Sequence, residues 1–189
     1  MLDHVFTDAI GALRTALELA MLERQAVEER FTTDALTGDT RWDTSYSLPG
    51  ETMPASVQAD VSMQWPTWSQ TAYRGWHLTG ELNDVPDLEL EVVFRLQGLI
   101  VPPELDEVLV RLPPTSPVIG GGELERSGGP TVEISWDDDL DGSETAVEVS
   151  YAGAVPLHID VLADGNRLDE LLGVAGGWIS STLVSLSDL

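Results

Sequence analysis

Two stretches of the chain alternate apolar and polar residues over nine positions each, and this pattern limits the possible folds more than any other feature. The first stretch covers 57–65 and the second covers 88–96. A strand directs successive side chains to opposite faces, so the alternation predicts strands with one buried face and one polar face. Such half-exposed strands are typical of antiparallel sheets, because the strands of parallel sheets are apolar on both faces.

Shorter patterns predict the remaining elements. Further strands are predicted near 42–48, 73–79, 123–126, 131–137, 147–151 and 155–161. Helical spacing of apolar residues predicts a long helix over 2–30, a short helix after Pro103 and a final helix for which Asn166 is placed as the cap. The sequence therefore predicts an α+β fold, in which an antiparallel β-meander packs against a long N-terminal helix and a C-terminal helix.

The final helix contains three closely spaced glycines, Gly173, Gly176 and Gly177. Each glycine costs a helix about 1 kcal/mol relative to alanine. We therefore expect these positions to permit a close approach to the sheet or to another helix.

The length of the chain favours one domain. A chain of 189 residues with 42% apolar content can bury a core of its own, so we expect a single α+β domain over 1–189. Each half of the sequence also has a meander followed by a helix. An organisation in two halves, 1–100 and 101–189, therefore stays open.

The charge of the chain predicts the environment in which it works. It has 33 acidic residues against nine basic ones, all of them arginine, and a formal net charge of -24. At molar salt the Debye length shrinks to roughly 3 Å, so the mutual repulsion of these charges nearly disappears. The composition is similar to that of archaeal proteins from salt-rich cells. We expect the chain in a high-salt cytoplasm or in a virus particle.

Missing residue types exclude several classes of function. Without cysteine and lysine the chain has no thiolate nucleophile, cysteine zinc cluster, Schiff-base lysine or phosphate-loop lysine. The arginines are scattered among acids, so nucleic acid is not an expected partner. No apolar stretch approaches the roughly 20 residues of a membrane helix, so a membrane is not expected either. We expect a protein without catalytic activity whose partners are other proteins or further copies of itself.

One motif points to a cofactor, calcium. The segment 137–148 matches the pattern D-x-[DN]-x-[DN]-G-x5-E, which is the ligand spacing of a twelve-residue calcium loop. Its predicted ligands are Asp137, Asp139, Asp141, Ser143, Thr145 and Glu148. Calcium loops of this type usually lie between helices, whereas strands are predicted here. A turn at Asp141-Gly142 with solvated acids explains the same residues, so both interpretations stay open.

A second polar cluster is predicted around His158. On a strand, His158 and Asp160 would share one face, and Glu148 could lie on a neighbouring strand. Such a group could hold a metal or act as a general base. The alternative is the exposed polar face of a half-buried sheet.

Aromatic residues are concentrated in one segment, where Trp65, Trp68, Tyr73 and Trp76 fall within twelve residues. Trp65 is in phase with the apolar face of its strand and should be buried, whereas we expect Trp68 to be exposed. Trp68, Tyr73 and Trp76 are therefore the candidate interaction residues, with core packing, protein contact and stacking on sugars as the possible roles.

These observations favour a non-catalytic structural or adaptor subunit of a larger protein assembly in a halophile. The alternative function is a calcium-binding or metal-dependent domain that uses the acidic loop 137–148.

Overall fold

The computed structural model describes residues 3–25, 29–51, 54–99, 101, 103–137 and 142–189, and at 135–137 and 142–143 it describes the backbone alone. Within these residues the helices are α1 His4–Leu19, α2 Thr67–Thr79, α3 Leu105–Arg111, α4 Ile159–Ala163 and α5 Gly165–Ser187. The strands are β1 Glu23–Arg24, β2 Arg30–Thr33, β3 Thr40–Ser47, β4 Val57–Trp65, β5 Asp87–Leu99, β6 Glu125–Arg126, β7 Thr131–Asp137 and β8 Gly142–Pro156. The predicted α+β fold is confirmed.

All eight strands in the described residues form one antiparallel sheet, with the order β1-β3-β4-β5-β8-β6. Strand β2 pairs with β3 beside β1, and β7 pairs with β8 beside β6. The pairing of β5 with β8 joins the two halves of the sequence, since Leu88 lies opposite Val155 and Leu96 lies opposite Val147. The alternation at 57–65 and 88–96 thus produces the two central strands β4 and β5.

One face of the sheet forms the core, and helices α1 and α5 cover it. Phe6 of α1 stacks on Trp65 of β4, with 6.3 Å between the ring centroids. Trp178 of α5 meets Phe94 and Tyr151 edge-on, at 5.4 Å and 5.1 Å. The opposite face is largely polar, because in the central strands β3, β4 and β5 buried residues on the helix-covered side alternate with mostly polar, more exposed residues on the other side.

Helices α1 and α5 lie side by side and run in the same direction. Gly176 of α5 approaches Ala16 of α1, and four residues later the Ser180 hydroxyl donates a hydrogen bond to the carbonyl oxygen of Ala20 (3.3 Å). A β-carbon at Gly176 would lie 2.7 Å from the Ala16 β-carbon. The close approach predicted from the glycines is therefore confirmed at Gly176. It is wrong for Gly173 and Gly177, where an added β-carbon would meet nothing within 4 Å.

The first helix is much shorter than the predicted 2–30. It ends at Leu19, and the chain turns at Met21, whose φ of 63° lies in the left-handed region. The segment that follows pairs with β3 as β1 and β2 instead of continuing the helix. A partner strand gained through tertiary structure has outweighed the local preference of these residues for helix.

The predicted strand at 155–161 is wrong beyond Pro156. Strand β8 ends at Pro156, and residues from Ile159 form the short helix α4, with His158 as its N-cap. The cap of the final helix is Asp164 and not Asn166, because the Asp164 carboxylate accepts a hydrogen bond from the backbone N–H of Asn166 (3.0 Å). No helix in the described residues combines the length and apolar character that a bilayer crossing requires.

Candidate protein-interaction site

Helix α2 occupies the segment for which a strand was predicted near 73–79, and it carries the aromatic residues on its surface. It begins directly after Pro66, and Gly80 ends it with a left-handed φ of 76° while its N–H bonds to the Trp76 carbonyl oxygen. Proline before a helix and glycine after it are common boundary signals. Trp68, Ala72 and Trp76 also recur every four residues, which is the spacing that could have identified the helix.

The buried face of α2 is polar. The buried residues of this helix in the described structure are Ser69 and Gln70. The Gln70 amide donates hydrogen bonds to the carbonyl oxygens of Gly38 (3.0 Å) and Trp65 (3.1 Å). The Ser69 hydroxyl accepts a hydrogen bond from the backbone N–H of Asp87 (3.0 Å). Hydrogen bonds to backbone groups of neighbouring elements therefore help to hold this face of α2 in place.

An ion pair adds a third attachment. The Arg74 guanidinium contacts the Asp3 carboxylate at 2.9 Å, and the other oxygen of Asp3 accepts a hydrogen bond from the Trp65 indole (3.0 Å). Asp3 precedes α1, so this one carboxylate links α1, β4 and α2. The orientation of α2 is thereby fixed relative to the core.

The opposite face of α2 is aromatic and exposed. Trp68 is 48% exposed and Leu78 is 84% exposed, while Trp76 is partly exposed. Trp68 and Trp76 line one groove of about 450 Å³, together with Ala72 and Gly75 on the helix. The far wall of this groove comes from the turn after the helix. Sequence reasoning missed its wall residues, Glu81, Asn83 and Asp84, because they have no pattern of their own.

Tyr73 has a different position from the two tryptophans. Its ring meets the buried Trp65 edge-on at 6.2 Å, and it lies 5.9 Å from Trp76 and 6.1 Å from His77. Burial raises the pKa of the Tyr73 hydroxyl. Of the three candidate residues, Trp68 and Trp76 are brought together around the groove, and Tyr73 joins Trp76 to the core.

The polar face of the sheet contains another hollow, of about 470 Å³. Arg41 lies in it and pairs with Asp43 (2.7 Å) and Glu91 (3.0 Å). Burial, together with the charges of nearby Asp87 and Asp39, raises the pKa of Glu89 in the same hollow. The single guanidinium is thus already neutralised by two carboxylates.

The described part of the predicted calcium loop belongs to the sheet. Thr145 is buried on the helix-covered side, in step with Val147, whereas Glu148 lies on the polar side and pairs with Arg95 at 2.7 Å. Thr145 and Glu148 are three residues apart on a strand and therefore point to opposite faces. Asp139 and Asp141 lie outside the described residues, as do the side chains of Asp137 and Ser143. The calcium site as a whole stays a prediction.

The His158 cluster is not assembled. His158 and Asp160 belong to the start of α4 instead of a strand, and Glu148 is engaged by Arg95 in the middle of the sheet. Among the residues that the structure describes, no three His, Asp or Glu side chains form a group that could hold a metal ion.

Comparison of the chain with models of protein families, with curated proteins and with solved structures gives no significant match.

Proposed function

We propose that this chain is a non-catalytic structural or adaptor subunit, which binds a protein partner through the exposed aromatic face of α2. The assembly would belong to a high-salt cell or to a virus particle formed in one. The observation that supports the proposal is the inverted character of α2, whose buried residues are Ser69 and Gln70 while Trp68 and Leu78 face outward. A helix that serves only the core has the reverse arrangement.

Burial of the exposed face of α2 by a partner would contribute favourable free energy to binding. An aromatic side chain buries about 150–250 Å² when it leaves water, at roughly 25 cal/mol per Å². Covering the exposed half of Trp68 would therefore contribute on the order of 2–3 kcal/mol to binding. Exposed tryptophans are also enriched among the residues that dominate the free energy of protein interfaces. The hydrogen bonds of Gln70 and Ser69 keep the helix in place without a partner, so the surface is preorganised.

The proposal is tested by measuring, in molar KCl, the mass of the complex that contains this chain. The tagged chain would be recovered from its native cells, and light scattering would give the mass and stoichiometry of the complex. We expect a complex of fixed composition for the wild type and the mass of one chain for Trp68→Ala. Val110→Ala is the matched control, because Val110 is 85% exposed and lies on a different helix, α3.

A wild type that has the mass of one chain would contradict the proposal. So would a Trp68→Ala variant that keeps the complete complex, since the contact would then lie elsewhere. Loss of the complex in Val110→Ala as well would show general sensitivity to surface substitutions and would remove the assignment to α2.

A further inference from the structure

The groove beside α2 has a chemical character that narrows the class of partner, an inference that rests on the proposed function. Its helical wall presents the Trp68 and Trp76 indoles. Its other wall presents Glu81 and Asp84, which are exposed and pair with no arginine in the described structure. Small residues of the helix, Ala72 and Gly75, also line the groove.

We propose that this groove binds an arginine side chain from the partner protein. An indole face attracts a cation, and a carboxylate accepts paired hydrogen bonds from a guanidinium. The groove supplies both groups within one space. The Arg74 of α2 does not fill it, because that side chain is directed to Asp3 and Gln70 on the other side of the helix.

Charge complementarity selects this partner over a second copy of the chain. A symmetric contact between two copies would bring two sets of Glu81 and Asp84 into direct contact, where even molar salt screens their charges only in part. Like charges placed opposite each other oppose association. A partner segment with arginine neutralises these carboxylates instead. Arginine also suits a salt-rich solution better than lysine, because its planar guanidinium stacks on indoles and is less strongly hydrated.

The groove can be closed without disturbing the fold. A β-carbon at Gly75 would meet nothing within 4 Å, and its backbone has no left-handed φ. The variant Gly75→Leu should therefore fill the groove and also favour the helix. A circular-dichroism melt in molar KCl would check that Gly75→Leu remains at least as stable as the wild type.

The test is calorimetric titration in molar KCl with the peptide acetyl-Ala-Arg-Ala-amide, and with the same peptide carrying citrulline in place of arginine. Citrulline keeps the shape of arginine but has no charge. We expect the arginine peptide to bind roughly fivefold more tightly than the citrulline peptide. We expect Gly75→Leu to abolish binding, and the pair Glu81→Gln and Asp84→Asn to reduce the preference for arginine. The control Val110→Ala should bind as the wild type does.

Equal binding of both peptides would overturn the inference and would indicate neutral stacking, as for a sugar. Unchanged binding by Gly75→Leu, or no heat with either peptide, would also overturn it. These results are separate from the mass measurement. A wild-type complex that forms while the arginine peptide fails to bind leaves the adaptor function standing and removes the arginine partner. If the arginine peptide binds but the wild type has the mass of one chain, the groove binds arginine and the adaptor function is removed.

Discussion

Two buried tyrosines differ in whether the side-chain hydroxyl has a hydrogen-bond partner. Tyr151 and Tyr46 are both fully buried in the core. The Tyr151 hydroxyl donates a hydrogen bond to the carbonyl oxygen of Pro113 (2.6 Å), whereas the Tyr46 hydroxyl has no partner among the described residues. A buried polar group without a partner loses its hydrogen bonds to water and gains nothing in return. The pair offers a matched experiment within one chain.

We expect Tyr151→Phe to lower the free energy of unfolding by about 1 kcal/mol, because a buried hydrogen bond is lost. We expect Tyr46→Phe to leave that free energy unchanged or to raise it by up to about 1 kcal/mol. Urea denaturation in molar KCl at neutral pH would measure both. A loss of stability in Tyr46→Phe that equals the loss in Tyr151→Phe would contradict the assignment of the unpartnered hydroxyl.

Tyr151 also makes the stability of the fold depend on pH in the alkaline range. Burial raises the pKa of Tyr151 to about 12, from an ordinary value of 10.0. The folded state therefore favours the protonated hydroxyl. The contribution of this group to stability is complete below pH 10 and is lost as the pH rises toward 12. We expect the stability difference between the wild type and Tyr151→Phe to shrink across that interval, and a constant difference would contradict the prediction.

At the candidate site, the sequence predicted which residue is exposed better than it predicted what each side chain contacts. Trp68 is exposed as expected, since no apolar pattern of a strand includes it. That Tyr73 packs on Trp65 while Trp76 lines the groove could not be predicted, because it depends on where Trp65 lies in the folded chain. The acidic wall of Glu81 and Asp84 depends on the path of a turn, and a turn leaves no periodic signal.

At the scale of elements, the contact between α1 and α5 depends on one glycine. A β-carbon at Gly176 would lie 2.7 Å from the β-carbon of Ala16 and 3.1 Å from its backbone carbon. Backbone cannot yield as a flexible side chain can, so the two helices would have to move apart. Gly173 belongs to the same helix, but an added β-carbon there meets nothing within 4 Å.

We expect Gly176→Ala to destabilise the fold by about 1–3 kcal/mol through overpacking. We expect Gly173→Ala, its control, to stabilise the fold by up to about 1 kcal/mol because alanine favours helix. Adding Ala16→Gly to Gly176→Ala should restore part of the loss. Thermal unfolding in molar KCl would rank the variants. A Gly176→Ala variant as stable as Gly173→Ala would refute the close contact.

Regular apolar patterns predicted most helices and strands well. The main wrong predictions concern α1 and α2. Strands β3, β4 and β5 and helices α3 and α5 follow from periodicity and from flanking prolines. The end of α1 has no glycine or proline to mark it, because Met21 adopts the left-handed conformation itself. Helix α2 is rich in threonine and aromatic residues, which favour strands, and its inward face is polar. The residue composition of α2 and its polar inward face therefore do not indicate a helix.

At the scale of the whole molecule, acidic groups greatly outnumber the cations that could neutralise them. Six of the nine arginines form ion pairs with carboxylates in the described structure, as Arg95 does with Asp60 and Glu148. Arg111 and Arg126 instead donate to the backbone carbonyls of Ser185 and Leu112. Most of the 33 acids are therefore left to be screened by the solvent.

We expect the folded state to require high salt, as the proposed environment implies. Circular dichroism should show a folded chain in molar KCl and unfolding after dialysis to about 0.1 M, where the Debye length rises to about 10 Å and repulsion returns. Replacing Glu104, Glu123 and Glu125 with glutamine should move the midpoint to lower KCl. A fully folded spectrum of the wild type at low salt would remove the argument for a halophilic origin.

The contact of α5 with α1 also governs the order of events during synthesis. Ser180 and Ala20 are 160 residues apart, so the cover of the sheet closes only after most of the chain has been made. Strand β8 ends at Pro156 and α5 ends at Ser187. At about 5–20 residues per second, translation of that interval takes on the order of 2–6 s. For that time the nascent chain has a complete set of strands, but the part of the apolar face that packs under α5 is uncovered. It then depends on a chaperone or on fast completion to avoid aggregation.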